Sequence, residues 1–254
     1  MEEDGYKIFW NRGPGGDVRF PVYSVLIEHD DGLFIFDTGF DLNHLTTFLP
    51  AAPNPIQSLD QTLPAQLAKA GVRPDDVTHI VNSHLHIDHC GGNKLFPNAT
   101  IVCHQREFEA AKNPQPFERI SYSDLGFASQ LADEREDLTG SARSGNSPKF
   151  ELLSGDVELV PGIRLFETPG HCAGHYSLLV SPNKRAPMLF TGDAAMTPRN
   201  VELMIIGSYH LDPVGAYQSL SRLKEISAQY KADLFFSHHM ESFDGYSKAP
   251  IWYE

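Results

Sequence analysis

The chain has 254 residues, with 20 Lys+Arg against 33 Asp+Glu and a net charge of −13. It is long enough for a substantial buried core but lacks the positive surplus that nucleic acid or an anionic membrane would require of a partner. Cys90, Cys103 and Cys172 are odd in number and scattered, which argues for reduced thiols and a cytoplasmic setting rather than a disulfide framework. The acidic opening Met1-Glu2-Glu3-Asp4 is unlike a secretory leader, and no apolar run approaches the length of a bilayer crossing.

Residues 6–10 read as a short strand, and Asn11-Arg12-Gly13-Pro14-Gly15-Gly16 after it as a loop. Residues 20–28 and 33–36, β-branched and aromatic on either side of Asp30-Asp31-Gly32, read as a hairpin ending in Asp37-Thr38-Gly39. Residues 40–60 show no period and read as an irregular excursion. Thr62 caps a helix that has Pro64 in its first turn, Leu63, Leu67 and Ala70 on one face, and Gly71 at its end. Residues 77–81 form the next strand, residues 99–103 another, and residues 106–112 a helix. Residues 113–149 are polar, with a helix around 129–138, and are expected to form a helical insertion or lid within a single domain spanning 1–254. Residues 150–153, 157–160 and 163–167, separated by Ser154-Gly155-Asp156 and Pro161-Gly162, read as a three-stranded meander. Strands over 176–180 and 188–191 follow. Asp212-Pro213 opens a helix with Ala216, Leu220, Leu223 and Ile226 at three- to four-residue spacing, and residues 233–236 form a last strand.

The chemistry concentrates in Ser83-His84-Leu85-His86-Ile87-Asp88-His89, directly after an apolar strand end. In extended or loop backbone, residues two apart point the same way. His84 and His86 can therefore grip one ion while Asp88 and His89, past a turn, face a second. Imidazole with carboxylate suits zinc, and iron, manganese, cobalt or nickel would also be accepted. Gly91-Gly92 are expected to let the backbone bend tightly behind the ligands. The alternative is a solvated, histidine-rich loop. Other strand ends offer His171, Asp193 and His238, the last with His239 beside it.

Taken in order, His-x-His-x-Asp-His, Thr-Pro-Gly-His, Gly-Asp and Ser-His resemble the metallo-β-lactamase-fold hydrolases over nearly the whole chain. The resemblance implies an α/β (α+β) fold, a four-layered αβ/βα sandwich with its site at one edge of two sheets. It implies two Zn2+, or other divalent transition metals, with His84, His86 and His171 on one, Asp88, His89 and His238 on the other, and Asp193 bridging. It also implies attack of a metal-held hydroxide on a carbonyl, with Asp88 passing a proton to the leaving oxygen. The stretches 10–16, 19–24, 113–118 and 174–179 resemble the lactonase branch. The first reading is therefore a hydrolase of the 4-pyridoxolactonase kind, acting on a small-molecule lactone. The alternatives are an N-acyl homoserine lactonase, or a thioester or phosphodiester hydrolase of the same fold, and homo-oligomerisation is left open.

Against this family pattern the chain departs at two places. Lactonases of the branch usually carry a tyrosine three residues after the bridging aspartate, where this chain has Met196, whose thioether cannot donate a hydrogen bond. Tyr209 or His210 could supply a substitute donor, and Arg12 suits an acidic group on a substrate. Relatives begin with about one additional strand's length, so the first strand is expected to be missing or shortened. His175 is expected to orient the site rather than ligate, Asp37 to cap backbone amides, and Cys90 and Cys172 to be small buried side chains.

Overall fold

The computed structural model describes residues 2–4, 8–10, 17–42, 56–122 and 149–254. At the start of the chain, β1 (Glu2–Asp4) pairs antiparallel with β2 (Asp17–Arg19). Ile8 to Trp10, expected in a strand, instead form a helical turn whose Trp10 N–H donates to the Ile206 carbonyl at 2.8 Å. The first strand thus lies earlier than its aromatic residues suggested.

Two five-stranded sheets follow from the strong β-formers. The first runs in the order β3 (Val25–His29), β4 (Gly32–Phe36), β5 (His79–Val81), β6 (Thr100–His104) and β7 (Lys149–Leu153). The second contains β8 (Val157–Val160), β9 (Ile163–Glu167), β10 (Tyr176–Val180), β11 (Met188–Phe190) and β12 (Asp233–Phe235), neighbouring one another in that sequence. The expected meander is corrected here. β7 pairs parallel with β6 in the first sheet, so only β8 and β9 of those three strands are hairpin partners. Turn signals between strands mark where each ends and carry no information on which sheet the next one joins.

Helices cover both outer faces. They are α1 (Leu63–Lys69), α2 (Ile87–Cys90), α3 (Gln105–Lys112), α4 (Pro198–Leu203), α5 (Pro213–Tyr230) and α6 (Met240–Asp244). Strand periodicity decides the layering, because neighbouring residues face opposite ways. Phe34, Phe36, Val81 and Val102 of the first sheet meet Leu165, Leu178, Met188, Phe190 and Phe235 of the second. Ile35, Ile80 and Ile101 point outward against Leu67 of α1. On the opposite exterior, Phe166, Leu179 and Leu189 pack on Ala216, Leu220, Leu223 and Ile226 of α5, the four residues whose spacing marked that helix. The layers run helix, sheet, sheet, helix. No helix among the described residues is long and apolar enough to cross a membrane.

Strand direction then brings the functional loops together. β4, β5 and β6 are mutually parallel, so their C-terminal ends share an edge. In the second sheet β9 and β11 are both antiparallel to β10, and β12 is parallel to β11, so β9, β11 and β12 also end together. The two edges are joined where the Tyr176 N–H donates to the Ser83 carbonyl at 2.9 Å. A second tie crosses between the sheets from His104, whose Nδ1 accepts the Arg106 N–H at 2.9 Å and caps α3. Its Nε2 lies 2.6 Å from Glu167 Oε1.

Partial burial raises the Glu167 pKa, but the hydrogen bonds from His104 and from the Gly155 N–H outweigh it and hold the carboxyl below its ordinary value. A carboxyl depressed in the folded state contributes stability above its unfolded pKa of about 4.3, and that contribution disappears as pH falls through the folded value. Glu167→Gln should therefore lose about 1–3 kcal/mol at neutral pH and converge on wild type in strong acid. Urea unfolding at the two pH values measures this, and an equal gap at both would count against the tie. Leu67→Ala, which empties a site 2 % exposed, should cost about 2–5 kcal/mol in the same assay.

Candidate metal centre

After β5 the chain turns inward. Ser83 is fully buried, and its N–H and hydroxyl each donate to the Asp37 carboxylate at 2.7 Å. Asp37 holds φ at 53°, the left-handed region that aspartate tolerates better than most side chains. From there one of its oxygens also meets His89 Nδ1 at 2.7 Å. One carboxylate thus orients both the loop and a ring, as expected of a group that caps backbone amides.

His86 is extended, with φ −69° and ψ 154°, and α2 begins directly after it. His86 is therefore presented by extended backbone, and Asp88 and His89 by a helical turn. Gly91 and Gly92 form the turn that follows behind the ligands, as expected, with φ of −61° and −90°, a conformation that does not itself require glycine. Their role is space. A Cβ on Gly91 would lie 2.6 Å from the Ile87 carbonyl oxygen, and one on Gly92 would lie 2.5 Å from that of Thr38.

The second sheet supplies the rest. His171 lies in the loop after β9, Asp193 in the short turn after β11, and His238 shortly after β12. His175 accepts the Asp193 N–H at 3.0 Å through Nε2 and meets the Thr168 hydroxyl at 2.8 Å through Nδ1, so it orients this loop. His238 donates its N–H to the Met196 carbonyl at 3.1 Å and Nδ1–H to the Pro21 carbonyl at 2.9 Å, which leaves Nε2 for the centre. His239 accepts the Ser242 N–H at 3.2 Å and caps α6. Cys90 and Cys172 donate their thiols to the Leu85 and Gly174 carbonyls.

The structure brings all seven expected ligands together in three overlapping groups. These are His84, His86 and His171; His84, His89 and Asp193; and Asp88, His89 and His238. The ligand atoms of each group lie within 4.8 Å of one another. Asp193 faces both ends of the cluster. Its Oδ1 is 3.2 Å from His238 Nε2 and 3.4 Å from His89 Nε2, while Oδ2 is 3.4 Å from His171 Nε2. Asp88 Oδ2 is 3.7 Å from His89 Nε2. His84 Nε2, His89 Nε2, His171 Nδ1 and Asp193 Oδ1 are buried without a hydrogen-bond partner among the described residues. Each such orphan costs about 1–3 kcal/mol if nothing answers it, and nitrogen and carboxylate donors converging in this way fit a pair of divalent ions.

The electrostatics divide the cluster. Burial lowers His86 to about 4 and holds His84 and His171 well below the usual imidazole range, so these three rings are neutral. Burial would lower His89 and His238 too, but Asp193, with Asp88 nearby, outweighs it and raises both. Burial likewise pushes Asp193 upward, yet His238, His89 and His171 hold its carboxyl well below the ordinary value.

Of the expected substrate contacts, Arg12 lies outside the described residues, as does the helix expected around 129–138. Met196 is 3 % exposed. Tyr209 is exposed, whereas the His210 ring stands edge-on to His171 at 5.4 Å with Nδ1 buried and unpartnered. Of the two residues expected as substitute donors, His210 is the one whose ring packs against a candidate ligand. A cavity bounded by Val22, Tyr23 and Ser237 opens against Asp88, His89 and His238. A larger groove of about 440 Å³ runs along α5 past Asp156, Tyr217 and Arg222, but none of the ligands lines it, so volume is a poor guide to the chemistry here. Glu107 and Tyr122, both buried against the ligand loops, were not legible in the sequence. A glutamate in a first helical turn reads as an exposed partner of the helix dipole.

A family model described as the metallo-beta-lactamase superfamily matches residues 17–238. An N-acyl homoserine lactonase of Bacillus sp is 30% identical over 239 residues, covering 91% of this chain and 86% of the relative. The N-acyl homoserine lactonase AiiA of Bacillus thuringiensis subsp. kurstaki is 31% identical over 235 residues, covering 90% and 85%. A solved N-acyl homoserine lactone hydrolase, with the product N-hexanoyl-L-homoserine at its catalytic metal centre, superposes with a TM-score of 0.81 at 28% identity, covering 98% of this chain and 94% of that one.

A ligand whose pKa is raised in the metal-free protein must shed a proton to bind, so its ion is lost first as pH falls. The Asp88–His89–His238 group should therefore empty before the His84–His86–His171 group, whose His86 titrates only near 4. Zinc content after dialysis at successively lower pH is expected to step from two per chain to one before reaching zero. Loss of both ions in one step would contradict the division.

Proposed function

The chain belongs to the metallo-β-lactamase superfamily, and from that premise we propose that it is a dinuclear zinc hydrolase that opens N-acyl homoserine lactones. The observation that carries this reading is the gathering of three-histidine and Asp88–His89–His238 groups on either side of Asp193. The sequence favoured a 4-pyridoxolactonase. The similarity over nine-tenths of the chain lies with N-acyl homoserine lactonases and reverses that order.

Divalent ions held by these residues would supply the acidification of a water and the polarisation of an ester carbonyl. The protein does the rest. His84, His86 and His171 would hold one ion through rings that burial keeps neutral. Asp88, His89 and His238 would hold the other, and Asp193 would span both through its two oxygens. Asp37 and the Pro21 carbonyl hold the rings of His89 and His238 in one tautomer, with Nε2 free to ligate. Asp88, with its side chain 19% exposed against 6% for Asp193, is the acid that a substrate can reach. It takes up the proton from the attacking water and returns it to the ring oxygen as the ester bond breaks. His210, beside His171, donates a hydrogen bond to the substrate carbonyl in place of the tyrosine that Met196 replaces.

Proton release by the zinc-loaded protein, offered N-hexanoyl-L-homoserine lactone and separately 4-pyridoxolactone, decides the substrate. Turnover of the first is expected. Turnover of the second alone would restore the pyridine-fused lactone, and inertness to both would remove the lactonase reading. At full zinc loading, Asp88→Asn should cut turnover about 10²-fold or more. An unchanged rate would take Asp88 out of the proton transfer.

A further inference from the structure

The reaction leaves one buried carboxylate unused. Glu107 on α3 is fully buried, and a carboxylate removed from water must have its lone pairs answered. Leu85 donates its N–H to Oε1 at 3.1 Å, and Tyr122 donates its hydroxyl to the same oxygen at 2.9 Å. Gly174 donates its N–H to Oε2 at 3.1 Å.

These three donors come from three separate stretches of chain, and each borders a ligand. Leu85 lies between His84 and His86, Gly174 closes the loop that carries His171, and the Tyr122 ring stands edge-on to His86 at 5.0 Å. The approach of the second loop depends on glycine. A Cβ on Gly174 would lie 2.5 Å from His104 Nδ1 and 2.6 Å from the Glu107 nitrogen. The other group of ligands is held differently, His89 by Asp37 and His238 by the Pro21 carbonyl.

We propose that Glu107 is the positioning residue of the three-histidine ion site, setting the distance between the His84–His86 loop and the His171 loop through the two backbone N–H groups it accepts. The inference rests on the reading of the cluster as a metal centre and is independent of which lactone is opened. Glu107 touches neither ion nor substrate. Its removal should therefore weaken one ion and spare the other.

The test is zinc affinity of the full chain, read by competition with a chromophoric chelator in wild type, Glu107→Gln and Leu67→Ala. Wild type is expected to bind two ions. Glu107→Gln should hold one of them as wild type does and release the other about 10–100-fold more readily. Leu67→Ala, destabilised in the core between α1 and the first sheet, should leave both affinities unchanged. Glu107→Asp keeps the charge but is one bond shorter, and the same selective loss is expected from it if the amide variant does not fold. Unchanged affinities in a folded Glu107 variant would overturn the assignment. So would equal weakening of both ions, which is the signature of general loosening. A wild type that binds no zinc would overturn the metal reading itself, before any variant is made.

Discussion

The structure is governed by the need to keep a set of imidazoles and carboxylates out of water while leaving their inner atoms unsatisfied. Three of those atoms, His84 Nε2, His89 Nε2 and Asp193 Oδ1, have no hydrogen-bond partner among the described residues, an arrangement that tightly packed hydrophobic layers could not tolerate without compensation. Part of the compensation lies on the outward side of three of the rings. Asp37 takes the far nitrogen of His89, the Pro21 carbonyl that of His238, and the Ser83 hydroxyl lies 3.0 Å from that of His84. These three rings are thereby turned so that Nε2 faces inward.

The sandwich makes this possible because both sheets end their relevant strands at one edge. Two sheets packed face to face bury their inner side chains in a common apolar layer. The strand ends emerge beyond that layer, where irregular backbone can carry polar groups. The first sheet contributes a contiguous motif and the second contributes single residues from three loops. Asp193 faces the ligands of both. Its low pKa and the raised pKa values of His89 and His238 are two sides of one buried charge balance, which divalent ions would replace.

The same division separates the two ends of the cluster energetically. One end is neutral imidazole, desolvated by its surroundings. The other is imidazole facing carboxylate. A site with such unequal halves can hold one ion tightly over a wide pH range and leave the other more exposed to proton competition.

Most of the elements were legible in the sequence, because β-rich runs and the three- to four-residue spacing of Ala216, Leu220, Leu223 and Ile226 are local consequences of backbone geometry, whereas the four-layered arrangement was implied by the family resemblance alone. The candidates within His84–His89 could be read locally too, whereas His171, Asp193 and His238 were strand-end residues that the family resemblance joined to them. Metal ligands must be histidine, aspartate or a few other residues, and His84 to His89 are crowded into too short a stretch to be incidental. What the sequence could not decide was anything set by contact between distant stretches. The assignment of β7 to the first sheet, the early position of β1, the close approach of the Ile87 and Thr38 carbonyls to Gly91 and Gly92, and the packing of His210 on His171 all depend on which surfaces meet. Glu107 makes the point most fully. Its place in the first turn of α3 predicts an ordinary exposed glutamate, and only the docking of two loops and Tyr122 onto that turn makes it the acceptor that holds them. Local pattern determines which residues can ligate and which faces are buried; the long-range packing of backbone against side chain decides which of the remaining polar groups hold the ligands in place.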